Sequence, residues 1–151
     1  MFEIAIAVAT LTILTAVSII DIRERRIPNR ITYPSIITLL IFMTGVGKFA
    51  NSGPEYSRAL IGLVFTFCLF LSIHMINSKG IGLGDVKLAA LLGLTLAWES
   101  FDALIYGIFS IFIVSGIYSI ILVVRNPKMI SGSIPFAPFM TLGYIVGMVL
   151  R

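Results

Sequence analysis

Two of the seven acidic residues in this chain, Asp21 and Asp85, stand where a carboxylate does more than solvate a surface. Each lies at the edge of a long apolar run. A carboxylate at the bilayer centre costs roughly 2.5–3.5 kcal/mol on insertion scales, and less near the interface. Such a group persists where it faces water or a partner. Two carboxyls a few ångströms apart do not both ionise easily, so they share a proton. The ionised one can then take a proton from water while the protonated one polarises a carbonyl, which hydrolyses a peptide bond without metal or nucleophilic side chain. The bland alternative has Asp21 ending one helix beside Arg23 and Arg25, and Asp85 capping the start of another.

Gly80, Gly82 and Gly84 alternate just ahead of Asp85, as Gly-Ile-Gly-Leu-Gly-Asp. Each glycine costs a helix about 1 kcal/mol relative to alanine. Three at this spacing let the backbone open, approach a neighbouring chain, and admit water or an extended peptide. A phosphate loop would need a Gly-Lys-Ser/Thr ending, which is absent. Valine at Gly82 or Gly84 is therefore expected to close a cavity entrance. The other acidic residues read as solvated charges: Glu3 at the N-terminus, Glu24 in a basic loop, Glu55 in an exposed loop, and Glu99 and Asp102 beside a four-residue turn. His74, the one histidine, is expected to snorkel or to bond a neighbouring helix, and Cys68 reads as a small packing residue. One histidine and one cysteine give a transition-metal site no support, and no cofactor is expected.

The elements that must position these residues follow from composition. The chain has 151 residues, 58% hydrophobic and 12% charged, against about 45–50% apolar and about 25% charged in soluble chains. A disordered chain is excluded. The net charge of +4 fits loops beside an anionic membrane better than a nucleic-acid surface. The expectation is an all-α polytopic membrane protein, one domain over residues 1–151 with no separate soluble domain. Six helices of about 20 residues each would occupy most of the chain.

The apolar runs are Ile4 to Ile20, Ile31 to Val46 with Pro34 in its first turn, Ala59 to Ile76, Ala103 to Val124, and a last one from about Ile134 to Leu150. A turn-rich loop is expected from Lys48 to Arg58. The fourth run, Val86 to Trp98, is too short to span. Extended back through the glycines to Ile81 it reaches about 27 Å, with Trp98 as an interface anchor. Asn29 is expected to cap the second helix. Lys87 points about 200° from Asp85 around a helix and reads as a snorkelling support. Basic residues decide orientation: Arg23, Arg25, Arg26, Arg30, Lys79, Lys87, Arg125 and Lys128 fall on one side, and only Lys48, Arg58 and Arg151 on the other. The N-terminus is therefore expected outside, with Asp21 and Asp85 toward the cytoplasm.

Gly82-Leu83-Gly84-Asp85-Val86-Lys87-Leu88 resembles the Gly-x-Gly-Asp-x-Lys-Leu segment of bacterial type IV prepilin leader peptidases. Asp21-Ile22-Arg23 leading to Ile27-Pro28-Asn29 is similar to the first aspartate motif of that family. Ile134-Pro135-Phe136-Ala137-Pro138-Phe139 is similar to its proline-containing stretch opening the last helix. The resemblance implies a membrane aspartic endopeptidase of the cytoplasmic membrane that removes short basic leaders from pilin-like precursors, with Asp21 and Asp85 as the catalytic pair. It implies supporting roles for Gly82, Gly84, Lys87, Pro28, Asn29, Pro135 and Pro138.

Longer members carry a tetracysteine zinc region between the first two helices. Here about ten residues and no cysteine occupy that loop. That resembles the short, core-only peptidases of tight-adherence (Flp-type) pili, and it removes the basis for carrying over the N-methyltransferase activity of bifunctional members. Archaeal preflagellin peptidases and presenilin-like proteases share the Gly-x-Gly-Asp idea, but Ile27-Pro28-Asn29 and Lys87-Leu88 fit the bacterial type better. Two other readings compete: a small transporter or proton-pathway subunit, which would place polar residues at mid-helix depth, and a non-catalytic scaffold for a pilus or secretion machine.

Overall fold

The computed structural model describes residues 2–49, 53–77, 80–125 and 134–151. Six helices carry nearly all of them: α1 (Phe2–Glu24), α2 (Asn29–Phe49), α3 (Gly53–Ile76), α4 (Leu83–Glu99), α5 (Phe101–Arg125) and α6 (Ala137–Leu150). This is an all-α membrane protein, and α1, α2, α3 and α5 are each long and apolar enough to cross a bilayer.

Helix α4 is the exception, and its position explains why. It touches all five other helices, while α1, α2, α3, α5 and α6 touch one another only as successive neighbours around it. Val86 and every residue from Leu88 to Trp98 are buried. A helix that is apolar all round belongs inside a bundle. One that has no face on lipid need not match the hydrocarbon thickness, so 17 residues suffice. Trp98 is accordingly 3% exposed, a core residue and not an interface anchor.

The α3–α4 contact is the most extensive in the bundle, and small residues let it close. A Cβ on Gly62 would stand 2.5 Å from the Gly93 carbonyl oxygen, and one on Gly93 would collide with Thr66 and the Gly62 backbone. Close backbone approach through small residues is the usual source of helix association where lipid competes equally for apolar surface.

Several boundaries differ from the sequence expectation. The Lys48 to Arg58 loop is mostly helix: α2 runs to Phe49 and α3 starts at Gly53, with residues 50–52 outside the described set. Pro54 fits there because a first-turn proline forfeits no bond, and Glu55 favours the same helix end. Arg58 is no loop charge. Its Nε donates to the Ala97 carbonyl (2.6 Å) and its Nη2 to those of Trp98 (2.6 Å) and Glu99 (2.9 Å), which closes the C-terminus of α4 with a cation.

The α4–α5 turn has a single residue, Ser100. Its N–H donates to the Leu96 carbonyl, and its Oγ accepts the Ala103 N–H at 2.9 Å, so it ends one helix and caps the next. Glu99 is paired with Arg151, its side chain only 5% exposed, so it is not a solvated charge. Pro34 lies inside α2 and not in its first turn. Glu24 is the last residue of α1, bonded to Arg26 Nε at 2.8 Å. Cys68 is exposed on α3, so it is not a packing residue. Lys79 and Lys128, counted for orientation, lie outside the described residues.

The packing makes a sharp contrast between glycines. Gly93→Ala should destabilise the bundle by about 1–3 kcal/mol, the usual cost of overpacking. Gly116→Ala, with open space around its new Cβ, should be neutral or stabilise by about 0.4–1 kcal/mol. Thermal unfolding of both variants in one detergent decides the matter, and equal melting temperatures would refute the close approach.

Candidate active site at one end of the bundle

Asp21 occupies the last turns of α1 and is 5% exposed. Its Oδ2 accepts the N–H of Ala137 at 3.0 Å. Ala137 is the first residue of α6, so Asp21 satisfies one of the amides that every helix start leaves unbonded. The proline stretch frames that amide. Ile134, Pro135 and Phe136 are non-helical, which starts α6 at Ala137 and not at Ile134, and Pro138 takes an early position where its missing N–H costs nothing. One turn deeper, Ser18 Oγ lies 2.7 Å from Thr141 Oγ1. Thr141 also reaches the Leu14 and Ala137 carbonyls (3.2 and 3.1 Å). Having one proton, it donates to a carbonyl and accepts from Ser18. The α1–α6 seam is thus pinned beside Asp21.

Helix α1 ends as sharply as it is held. The Arg25 N–H bonds the Asp21 carbonyl at 2.8 Å, and Arg25 is the only described non-glycine residue with positive φ, 51°. This is the left-handed residue that commonly stops a helix. From there the chain reaches Ile27-Pro28-Asn29. The Pro28 carbonyl accepts the Ile31 and Thr32 amides (3.1 and 3.2 Å), so Pro28 takes the capping position expected of Asn29. The Asn29 side chain is used elsewhere: its Oδ1 accepts from Lys87 Nζ at 3.0 Å.

Asp85 is the third residue of α4 and half-buried. Its Oδ2 accepts the Gly82 N–H at 2.8 Å, so Gly82 takes the capping position and Asp85 the third helical one, where the bland reading of the sequence had Asp85 itself as the cap. That bond engages one oxygen only. Helices α1 and α4 are in contact, and the two aspartates lie at the same end of the bundle, Asp21 in the last turn of α1 and Asp85 in the first turn of α4. Asp21 and Asp85 each have one oxygen held by a backbone amide and a second without a protein partner among the described residues.

The glycines divide by role. A Cβ on Gly84 would stand 2.8 Å from Ile27 Cβ, whereas one on Gly82 would meet nothing closer than Asp85 Oδ2 at 3.4 Å. Gly84 is what lets the start of α4 close on the α1–α2 corner. Gly82 has room for a Cβ, so the steric demand for glycine falls on Gly84 alone, and there it comes from packing against Ile27. His74 fixes the approach to this turn: its Nδ1 lies 2.7 Å from the Ile81 carbonyl oxygen. A carbonyl only accepts, so Nδ1 carries the proton. Lys87 Nζ also sits 4.7 Å from the Tyr33 ring centroid.

Ile27 and Ala137 stand inside the sequence motifs without a role of their own, and nothing in the sequence singles out Tyr33. Ala137 acts through a backbone amide and the others through shape or a ring face, none of which leaves a spacing signal.

A profile of the type IV leader peptidase family matches residues 8–124, which includes both aspartates and the Gly82–Leu88 segment. The chain belongs to the type IV leader peptidase family. Curated relatives named prepilin leader peptidase/N-methyltransferase include those of Aeromonas hydrophila (30% identical over 131 residues, 86% of this chain and 44% of that protein), Escherichia coli strain K12 (26% over 133 residues, 87% and 56%) and Bacillus subtilis strain 168 (28% over 144 residues, 95% and 55%). The chain spans about half the length of these relatives. No solved structure gives a significant match.

Gly84→Ala should destabilise the protein by about 1–3 kcal/mol through its collision with Ile27, read as a lower melting temperature. Adding Ile27→Ala should recover part of that loss, while Gly82→Ala alone should be near silent. A Gly82→Ala variant as unstable as Gly84→Ala would remove the steric distinction.

Proposed function

We propose that this protein is a membrane aspartic endopeptidase that removes the short basic leader from type IV prepilin-like precursors, with Asp21 and Asp85 as the pair that activates water. Family membership supports the substrate class. The observation that carries the mechanism is the pair of carboxyls at one end of the bundle, each anchored by one backbone amide and each with its other oxygen unbonded among the described residues. A water between the free oxygens loses a proton to the ionised carboxylate. The protonated partner hydrogen-bonds the scissile carbonyl oxygen as the water oxygen adds to its carbon. Collapse of the tetrahedral intermediate breaks the C–N bond, and the leaving nitrogen takes the proton held by the dyad.

The precursor is a chain with a basic leader followed by a hydrophobic helix, presented from the bilayer to the cytoplasmic face. The protein itself is one membrane-embedded peptidase domain in the cytoplasmic membrane, crossing it six times with the N-terminus outside. Supporting this orientation, Arg23, Arg25, Arg26, Arg30, Lys87 and Arg125 lie at the helix ends shared with Asp21 and Asp85, and Lys48, Arg58 and Arg151 at the opposite ends. A proton pathway has less support, since the buried hydroxyls of Thr10, Thr66 and Thr95 bond carbonyls of their own helices.

Asp21→Asn and Asp85→Asn keep shape and remove the shared proton. Each should abolish leader removal from a co-expressed precursor, read as a size shift of the product, and the double variant should be no worse because the two act as one unit. Chelators should leave cleavage unchanged. Near-wild-type cleavage by either asparagine variant returns that residue to a helix-end charge. Orientation has its own test: reporters inserted after Glu24 and after Gly80 should both read cytoplasmic. Opposite readings would put the two aspartates on different sides of the membrane.

A further inference from the structure

We propose that Lys87 is a positioning residue, its ammonium strapping the first turn of α4 to the start of α2 and thereby setting Asp85 against Asp21. The inference rests on the dyad reading above. A lysine at a membrane rim ordinarily extends its stem and places its charge among headgroups. Here Nζ is turned onto the Asn29 amide oxygen at 3.0 Å and over the Tyr33 ring at 4.7 Å, so both of its contacts belong to the first turns of α2. The ion pairs among the described residues are Arg26–Glu24 and Arg151–Glu99. Lys87 is therefore not the charge partner of Asp85, and it acts through the backbone that both share.

Two other features make this joint stiff. Pro28, with its fixed φ, opens α2 immediately before Asn29. Ile27 fills the space over Gly84. Apolar packing and a charge-assisted bond thus close one junction from two sides, with Asp85 between Gly84 and Lys87. Lys87 also lines a cleft of about 350 Å³ together with Tyr33, Ile36, Phe67, Val86 and Ala90. That location separates packing from charge. Lys87→Met keeps an unbranched stem in the cleft and deletes only the ammonium.

The test is steady-state cleavage of a purified precursor by the full chain in detergent. Lys87→Met should lower kcat by about tenfold to a hundredfold, because small misplacements of reacting groups have that effect, with KM little changed. Lys87→Arg, which can still donate to Asn29 and stack on Tyr33, should recover most of the loss. Asn29→Ala should mimic Lys87→Met, and the double variant should be no worse than either single one. Wild-type kcat in Lys87→Met, multiplicative losses in the double variant, or an arginine variant no better than methionine would each overturn the proposal. Failure of the dyad reading is separate: it shows as activity in Asp85→Asn. Amide exchange across residues 82–86, faster in Lys87→Met if the strap exists and unchanged if it does not, reads the joint without any turnover.

Discussion

The burial of α4 is the constraint on which the rest of the structure depends. Every other helix packs against it, so its axial and rotational setting determines where Asp85 lies relative to the surrounding ring. That setting is enforced at both ends by different physics. At the far end Arg58 bonds the last three carbonyls of the helix, placing a cation where the helix dipole is negative. At the near end Asp85, Gly84 and Lys87 meet the Gly82 amide, Ile27 and Asn29 in turn. Along its length Gly93 lies against Gly62, so sliding or rotation would drive Cβ atoms into backbone.

The structural role of the two aspartates leaves room for the chemistry proposed for them. Each satisfies an amide at the start of a helix, α6 for Asp21 and α4 for Asp85. Helix starts favour negative charge, while two carboxylates brought close together oppose it. A pair held in that balance has one oxygen each to commit to geometry and one each to commit to water. The structural reading and the catalytic reading of these residues, competitors at the level of sequence, turn out to be compatible because a carboxylate has two oxygens.

The third motif gains a physical meaning from the same arrangement. Pro135 and Pro138 stand on either side of Ala137. Their effect is to place the start of α6 at Ala137, where its first amide faces Asp21. The Ser18–Thr141 contact one turn deeper keeps α1 and α6 in that register.

How much of this could be read from the chain divides along one line. Composition and apolar run length by themselves determined an all-α membrane protein, the number and order of its helices, and the two carboxylates worth considering, because burial in lipid restricts a backbone to self-satisfied helices and makes charged residues within them conspicuous. Local motifs showed where Asp21, Asp85 and the Gly82–Leu88 segment stand. Only tertiary structure decided that Val86 to Trp98 is a lipid-free hub, that Trp98 and Glu99 are buried, that Arg58 ends a neighbouring helix, and that Gly84 matters sterically where Gly82 does not. Each of those depends on which helix lies opposite. Contacts between residues tens of positions apart, such as Lys87 with Asn29 or Asp21 with the Ala137 amide, leave no periodicity in a single sequence, since the pattern along one helix records that a face is buried and not what buries it.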